Sequence, residues 1–153
     1  MRRWVVTAAM VLGLLGLYMA PAHADDPTAT IEVAPTATLN SAGVLTVTVV
    51  VTCVPLDEYK FGPPLAEVVV VQERGHTLAR GTAGAVVTCD NTPHTYQMFV
   101  DPDEGSAPFR PGRATVTPII GICGILDGEL VCLGNRPAIP QTLIVRPART
   151  GSV

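Results

Sequence analysis

The clearest pattern in the chain is a run of alternating residues between positions 44 and 54. One side of this run is entirely apolar and comprises Leu45, Val47, Val49, Val51 and Cys53. The other side is mostly threonine. Because successive side chains of a strand point to opposite faces, this period of two predicts a strand with one face in a core. Nearly all of its residues are β-branched, which favours a strand over a helix.

Shorter runs of similar character follow along the chain, separated by proline, glycine, asparagine and aspartate. The predicted strands cover residues 28–34, 44–54, 66–74, 76–80, 83–89, 94–101, 113–123, 130–132 and 141–147. Four consecutive valines at 68–71 indicate a strand that is covered on both faces. Pro118 predicts a bulge in its strand, because proline cannot donate a hydrogen bond to the ladder. No window shows a sustained helical period.

The number and spacing of these segments predict the fold class. About seven to nine short strands, with turn signals roughly every 8–12 residues, are typical of an all-β sandwich. The content of 14 proline and 14 glycine residues supplies the many turns that such a fold needs. With 48% hydrophobic and 15% charged residues, the chain is not a disordered one. Its net charge of −3 argues against a nucleic-acid partner.

The N-terminal residues have the pattern of an export signal. Arg2 and Arg3 precede an uncharged apolar run, and Ala22-His23-Ala24 supplies the small residues that signal peptidase recognises. We therefore expect residues 1–24 to be cleaved, which leaves a domain over 25–147 and a flexible tail at 148–153. The alternative is an uncleaved membrane anchor, but the apolar run is shorter than the ~20 residues that span a bilayer. The predicted location is outside the cell or in the cell envelope, with membrane contact only during export.

All four cysteines follow the predicted cleavage point, so we expect disulfides rather than metal ligation. Four cysteines allow three pairings. The pair Asp127-Gly128 favours a two-residue type I′ hairpin turn. Counting outward from that turn places Cys123 opposite Cys132 in a non-hydrogen-bonded pair, where two Cα atoms lie about 4.5 Å apart. Cys53 and Cys89 then form the second disulfide by elimination.

Several short segments resemble immunoglobulin-like domains that actinobacteria secrete. They are the strand ending at Cys53, Thr88-Cys89-Asp90, His94-Thr95-Tyr96, and the run 109–116 that leads into a long strand. A fainter resemblance is to the neocarzinostatin-type apoproteins, which are secreted, acidic and immunoglobulin-like, and in which one of two disulfides closes a short loop. The first resemblance implies a two-sheet immunoglobulin-like Greek-key sandwich, and the second implies a small-molecule carrier. Neither assigns a pocket residue in this chain.

Few side chains offer reactive chemistry. The acids in Asp101-Pro102-Asp103-Glu104-Gly105 could bind Ca²⁺, but Gly105 departs from the EF-hand pattern and a solvated turn is the preferred interpretation. His76 and His94 flank strands without an evident third ligand, and we interpret them as surface residues. No serine lies in a GxSxG motif. The sequence therefore predicts no catalytic residue, no cofactor and no metal.

The candidate binding residues are four aromatic side chains in or near loops: Tyr59, Phe61, Phe99 and Phe109. Exposed aromatic side chains are typical of recognition surfaces. The alternative is that some of them cap the ends of the sandwich. The function that these observations favour is a secreted binding module for an unknown protein or glycan. A neocarzinostatin-like carrier is the alternative, and an extracellular hydrolase is a third class.

Overall fold

A computed structural model of the chain describes residues 29–134 and 138–148. The described residues form strands and no helix, which confirms the all-β class. The strands are β1 (Ala29–Val33), β2 (Thr36–Leu39), β3 (Leu45–Cys53), β4 (Glu58–Tyr59), β5 (Leu65–Arg74), β6 (Thr77–Val86), β7 (His94–Val100), β8 (Gly112–Leu126), β9 (Glu129–Gly134) and β10 (Gln141–Pro147). None of the described residues belongs to a helix that could span a membrane. The predicted signal peptide, 1–24, and residues 149–153 of the predicted tail lie outside the described residues.

The strands form one mixed hydrogen-bonded network. Its main path runs β1-β3-β2-β10-β8-β5-β6, while β7 pairs with β3, and β4 and β9 pair with β8. Strands β2 and β10 are parallel, whereas the other strand pairs are antiparallel. Both strands before β3 pair with it, and β2 also pairs with β10, so β2 lies between β3 and β10 in the strand order. The mixed sheet departs from a purely antiparallel arrangement at this one pair of described strands.

The core lies along the alternating faces of the longer strands. Every second residue of β3, from Leu45 to Cys53, is buried, as the period of two predicts. The same alternation holds in β5 and β8, where Val68, Val70 and Val116 are among the fully buried side chains. Burial of one such valine contributes about 1.5–3 kcal/mol relative to an exposed position. Aliphatic side chains therefore supply most of the core.

Residues 77–86 form one strand, whereas the sequence predicts two, at 76–80 and 83–89. Residues 81 and 82, which the two predicted strands leave out, lie within the strand, and Gly81 pairs with Val70 in a continuous register. A side chain at Gly81 would collide with the backbone oxygen of Asp101 and with Val100. This glycine therefore permits the end of β7 to approach β6 closely, and it does not mark a turn.

The bulge predicted at Pro118 is absent from the observed register. Pairing between β5 and β8 is continuous from Val71:Thr115 to Leu65:Gly121, with Pro118 opposite Val68. Among the described residues, the other side of β8 pairs with β10 as far as Val116 and with β9 from Gly121. By the alternation of the ladder, the nitrogen of Pro118 faces away from β5. Its missing N–H therefore does not interrupt the pairing of β5 with β8.

Both predicted disulfides are confirmed. Asp127 and Gly128 have positive φ values of 52° and 83°, as a type I′ turn requires, and Cys123 pairs with Cys132 in the hairpin register. The Cα atoms of this pair are 4.1 Å apart, close to the expected distance. Cys53, at the end of β3, is bonded to Cys89 with a Cα–Cα distance of 4.7 Å. No cysteine remains free.

Candidate binding face

The structure does not bring the four predicted aromatic residues together. Tyr59 is half-buried on β4 beside β8, and Phe61 follows it in a loop with 79% of its surface exposed. Phe99 is 61% exposed on β7, where it pairs with Thr46 of β3. Phe109 is only 3% exposed. Phe109 therefore belongs to the core, and its assignment to a binding surface is wrong.

A buried glutamine explains why Phe109 lies inside. The side chain of Gln72 on β5 donates hydrogen bonds to the carbonyl oxygens of Arg110, at 2.9 Å, and Arg113, at 3.2 Å. The backbone N–H of Arg110 donates to Oε1 of Gln72 at 2.9 Å. These bonds hold the loop before β8 against β5 and satisfy a polar side chain that is 2% exposed. The loop is fixed at the residue next to Phe109, whose ring is buried with the core.

The outward side of β5, β6, β8 and β9 carries several aliphatic side chains, interleaved with polar residues such as Thr82 and Thr117, which pair with Val69. We call its aliphatic members the outer apolar face: Leu65, Val69, Val71, Val86, Ile119, Ile125 and Leu130. In the strand registers, Leu65 pairs with Val86 on one side and Gly121 on the other, and Ile125 pairs with Leu130. Exposure reaches 60% at Val86 and 62% at Leu130, and it is 39% at Leu65 and 37% at Ile119. The prediction that the four-valine strand is covered on both faces is therefore wrong for Val69 and Val71, which are half-buried.

The opposite outward surface, on β3 and β7, has different chemistry. Its β3 positions are Thr46, Thr48, Val50 and Thr52, and its β7 positions include Thr95 and Gln97 beside the single aromatic Phe99. A solvated face of an antiparallel sheet is normally polar, as this one is. A surface that exposes several large aliphatic side chains is typical of an interaction site. The contrast singles out the outer apolar face as the candidate site.

A shallow depression lies within the same outward side, beside the hairpin disulfide. It has a volume of about 170 Å³ and is lined by Gly121, Cys123, Cys132, Leu133 and Gly134. Gly121 and Gly134 are directly paired across β8 and β9, and a side chain at Gly121 would meet nothing within 4 Å. The absence of side chains at this pair leaves a gap in the aliphatic surface.

The acidic segment 101–105 contacts β6. The backbone N–H of Asp103 donates to the carbonyl oxygen of Arg80 at 2.7 Å, and the Asp103 carboxylate lies 3.8 Å from the Arg80 guanidinium. Across residues 29–134 and 138–148, no group of three or more histidine, cysteine, aspartate or glutamate side chains is placed to hold a metal ion. The segment therefore covers part of a strand edge.

The two histidines lie on different elements. His76 is exposed in the turn between β5 and β6, whereas His94 begins β7. Nε2 of His94 is 2.9 Å from Oδ1 of Asp90 and 3.1 Å from the hydroxyl of Thr92. That hydroxyl donates to the same carboxylate oxygen at 2.6 Å. The three side chains brace the turn after Cys89, and the Thr92 proton is directed to Asp90 rather than to a base that would activate the hydroxyl.

This network lowers the pKa of the Asp90 carboxyl from 3.8 to about 2. The hydrogen bond from the Thr92 hydroxyl is the largest cause, followed by the contact with His94, because both favour the ionised carboxylate. A lowered pKa in the folded state means that ionised Asp90 stabilises the fold above about pH 4. This stabilisation is lost as the pH falls toward 2.

Replacing Thr92 with alanine is expected to raise the pKa of Asp90 from about 2 toward 3.8, because the largest cause of the shift is removed. An NMR titration that follows the carboxyl carbon of Asp90 measures this change. Thr95→Ala, at an exposed position on β7, is the matched control and should leave the titration unchanged. An Asp90 pKa that stays near 2 in the Thr92 variant would contradict the assignment.

Sequence reasoning missed the aliphatic members of the candidate face. The run of four valines could have revealed this face, because a strand with two apolar faces must bury both of them. The prediction assumed that other parts of the same chain bury both faces.

Comparison of the chain with protein-family models, curated proteins and solved structures found no match. The class of the protein is therefore described from its structure. The described part of the chain is all-β and has two disulfides, and such disulfides indicate an oxidising environment outside the cytoplasm.

Proposed function

We propose that the chain is a secreted, non-enzymatic binding module that contacts its partner through the outer apolar face. The observation that carries the proposal is the set of large aliphatic side chains, Leu65, Val86, Ile119 and Leu130, that this outward side exposes to solvent. Exposed aliphatic surface is unfavourable in water, and its burial against a partner would stabilise a complex by roughly 25 cal/mol per Å² before the costs of association.

The proposal includes an immunoglobulin-like two-sheet Greek-key arrangement, as in the actinobacterial domains that the sequence resembles. The strand order supports it. Strands β1 and β7 flank β3, whereas β10, β8, β5 and β6 follow one another in hydrogen-bonded order. In this arrangement the first group of strands and the second group form the two layers, and β2, which pairs with both β3 and β10, would connect them.

The chemistry of the face favours a protein partner over a glycan. A glycan presents many hydroxyl groups, and aliphatic side chains offer them no hydrogen bonds, so their burial would cost free energy. An apolar protein surface has no such cost. Glu67 in the middle of the face and Arg113 at its margin add opposite charges that could orient the partner.

A pair of double variants tests this proposal. Ile119→Lys with Leu130→Lys places two charges on the outer apolar face, and we expect binding to the partner to weaken roughly a hundredfold, because charged groups would be buried in the interface. Thr95→Lys with Gln97→Lys adds the same charge on the opposite surface, at exposed β7 positions, and should leave binding unchanged.

The measurement is quantitative co-purification of tagged protein with a defined partner from the culture of its source, after thermal melting has shown that both variants fold. Edman sequencing of the same material should begin at Asp25. Retention of the partner by the outer-face variant, or equal loss in both variants, would overturn the proposal.

A neocarzinostatin-like carrier is the second candidate, and the depression beside the hairpin disulfide is the observation that favours it. Its volume of about 170 Å³ is smaller than the roughly 300–1,000 Å³ of typical ligand sites. A groove of about 360 Å³ elsewhere is lined in part by Arg74 and Arg110, so it is not the apolar pocket of a carrier. Native mass spectrometry of secreted material distinguishes the two candidates, because a co-purifying small molecule would favour the carrier.

The network of Asp90, Thr92 and His94 gives a hydrolase no support.

A further inference from the structure

The edge of β6 is covered over only half of its length. In the ladder with β5, residues of β6 alternate between those whose backbone groups face β5 and those whose groups face outward. Leu78 and Arg80 belong to the outward set, and the segment 101–107 bonds to both. Ala107 donates to the oxygen of Leu78 at 3.0 Å, and Ser106 accepts from the N–H of Arg80 at 2.6 Å.

This cover ends before Thr82. By the same alternation, the backbone N–H and C=O groups of Thr82, Gly84 and Val86 face away from β5. Within the described part of the chain, no hydrogen bond from another segment reaches these backbone groups. They form a row of donors and acceptors already spaced for pairing with another strand.

The open half of β6 also lacks the usual protection of an edge strand. Natural edges carry lysine, proline, a bulge or an inward charge, which hinder pairing with another chain. The run from Gly81 to Val86 contains none of these residues, and its register with β5 is continuous.

We propose that two copies of this chain join by antiparallel pairing of residues 82–86, with the two-fold axis at Gly84. Gly84 would pair with Gly84 of the second copy, and Thr82 with Val86, and each of these pairs would exchange both of its hydrogen bonds. The main path of strands would then continue from one copy into the other through the two β6 strands.

A second copy fits this edge better than an unrelated peptide does. The outward groups are arranged symmetrically about Gly84, and a two-fold interface requires such self-complementarity. The side chains of the segment are small, so they form no pockets through which a peptide sequence could be selected. Pairing would also place Leu65 and Val86 of both copies on the same outward side and would join the two outer apolar faces.

Proline substitution removes the outward N–H groups without disturbing the ladder with β5. In the variant Thr82→Pro with Val86→Pro, each lost N–H faces outward, and proline is tolerated at such edge positions. Thr82→Ala with Val86→Ala is the matched control, since it shortens the same side chains and keeps both N–H groups. Thermal melting at low protein concentration verifies that each variant folds.

Analytical ultracentrifugation of the purified, oxidised chain is the test. We expect the wild-type protein and the alanine control to sediment with twice the mass of one chain, and the proline variant to dimerise at least roughly tenfold more weakly. The Ile119→Lys, Leu130→Lys variant should still dimerise, because those positions lie away from the edge.

Three outcomes would overturn the dimer: a monomeric wild type at about 100 μM, undiminished dimerisation of the proline variant, or loss of the dimer in the lysine variant. The experiment contains no partner protein. Its failure therefore leaves the proposed binding function standing, and a failure of that function leaves the dimer standing.

Discussion

Replacing Phe109 with alanine is expected to lower the free energy of unfolding by about 3–5 kcal/mol. The ring is 3% exposed and belongs to the main hydrophobic core, so its removal leaves a cavity that the neighbouring strands can fill only in part. The loop cannot collapse freely into that space, because Gln72 holds the backbone of Arg110 on one side of it. We therefore expect a cost near the upper part of this range.

The same chain provides matched controls for that experiment. Phe61→Ala and Phe99→Ala remove the same atoms from side chains that are 79% and 61% exposed, and each should change stability by no more than about 0.5 kcal/mol. Urea denaturation, followed by circular dichroism, measures all three variants under one condition. If Phe109→Ala costs no more than Phe99→Ala, the burial of this ring and the corrected assignment are both wrong.

Removing the Cys53–Cys89 disulfide is expected to cost about 4 kcal/mol, whereas removing Cys123–Cys132 should cost about 2.5 kcal/mol. The two bonds join residues separated by 36 and 9 positions, respectively. A crosslink restricts the unfolded chain more when it closes a longer loop, which is the origin of the difference. The hairpin also has a type I′ turn that favours the same register without the bond.

Two double variants measure this difference: Cys53→Ala with Cys89→Ala, and Cys123→Ala with Cys132→Ala. Each keeps the other disulfide, so thermal or urea unfolding of the oxidised proteins compares them directly. The wild-type protein in reducing buffer shows the combined effect. A larger loss of stability in the hairpin variant would contradict the explanation based on loop length.

Local patterns account for the features that the sequence predicts well. The alternation in β3 and the Asp127-Gly128 turn each depend on neighbours within a few residues, so the strand, the hairpin and the Cys123–Cys132 pair could all be deduced. The Cys53–Cys89 pair then followed by elimination. These predictions required no knowledge of how distant segments meet.

The wrong predictions concern contacts between distant segments. Phe109 lies in a loop rich in proline and polar residues, and only the bonds from Gln72 on another strand reveal why the ring turns inward. The strand predicted to end at residue 80 continues through Gly81, whose close approach to Asp101 is not visible in the sequence. Pro118 looked disruptive because its place between two successive partner strands depends on the whole strand order.

The candidate face was missed for a related reason. Hydrophobic periodicity identifies which positions are apolar, but it does not say whether this chain or another molecule covers them. The valine run in β5 was correctly identified as a strand with two apolar faces. The structure places one face in the core and leaves the other accessible.

The parallel contact between β2 and β10 has a consequence for synthesis of the protein. Thr36–Leu39 is among the first described segments to be made, yet its partner, Gln141–Pro147, is among the last. The same late strand also pairs with β8. A ribosome that stops before Gln141 would therefore release a chain with two open edges. Such a truncated product should be prone to aggregation and to proteolysis.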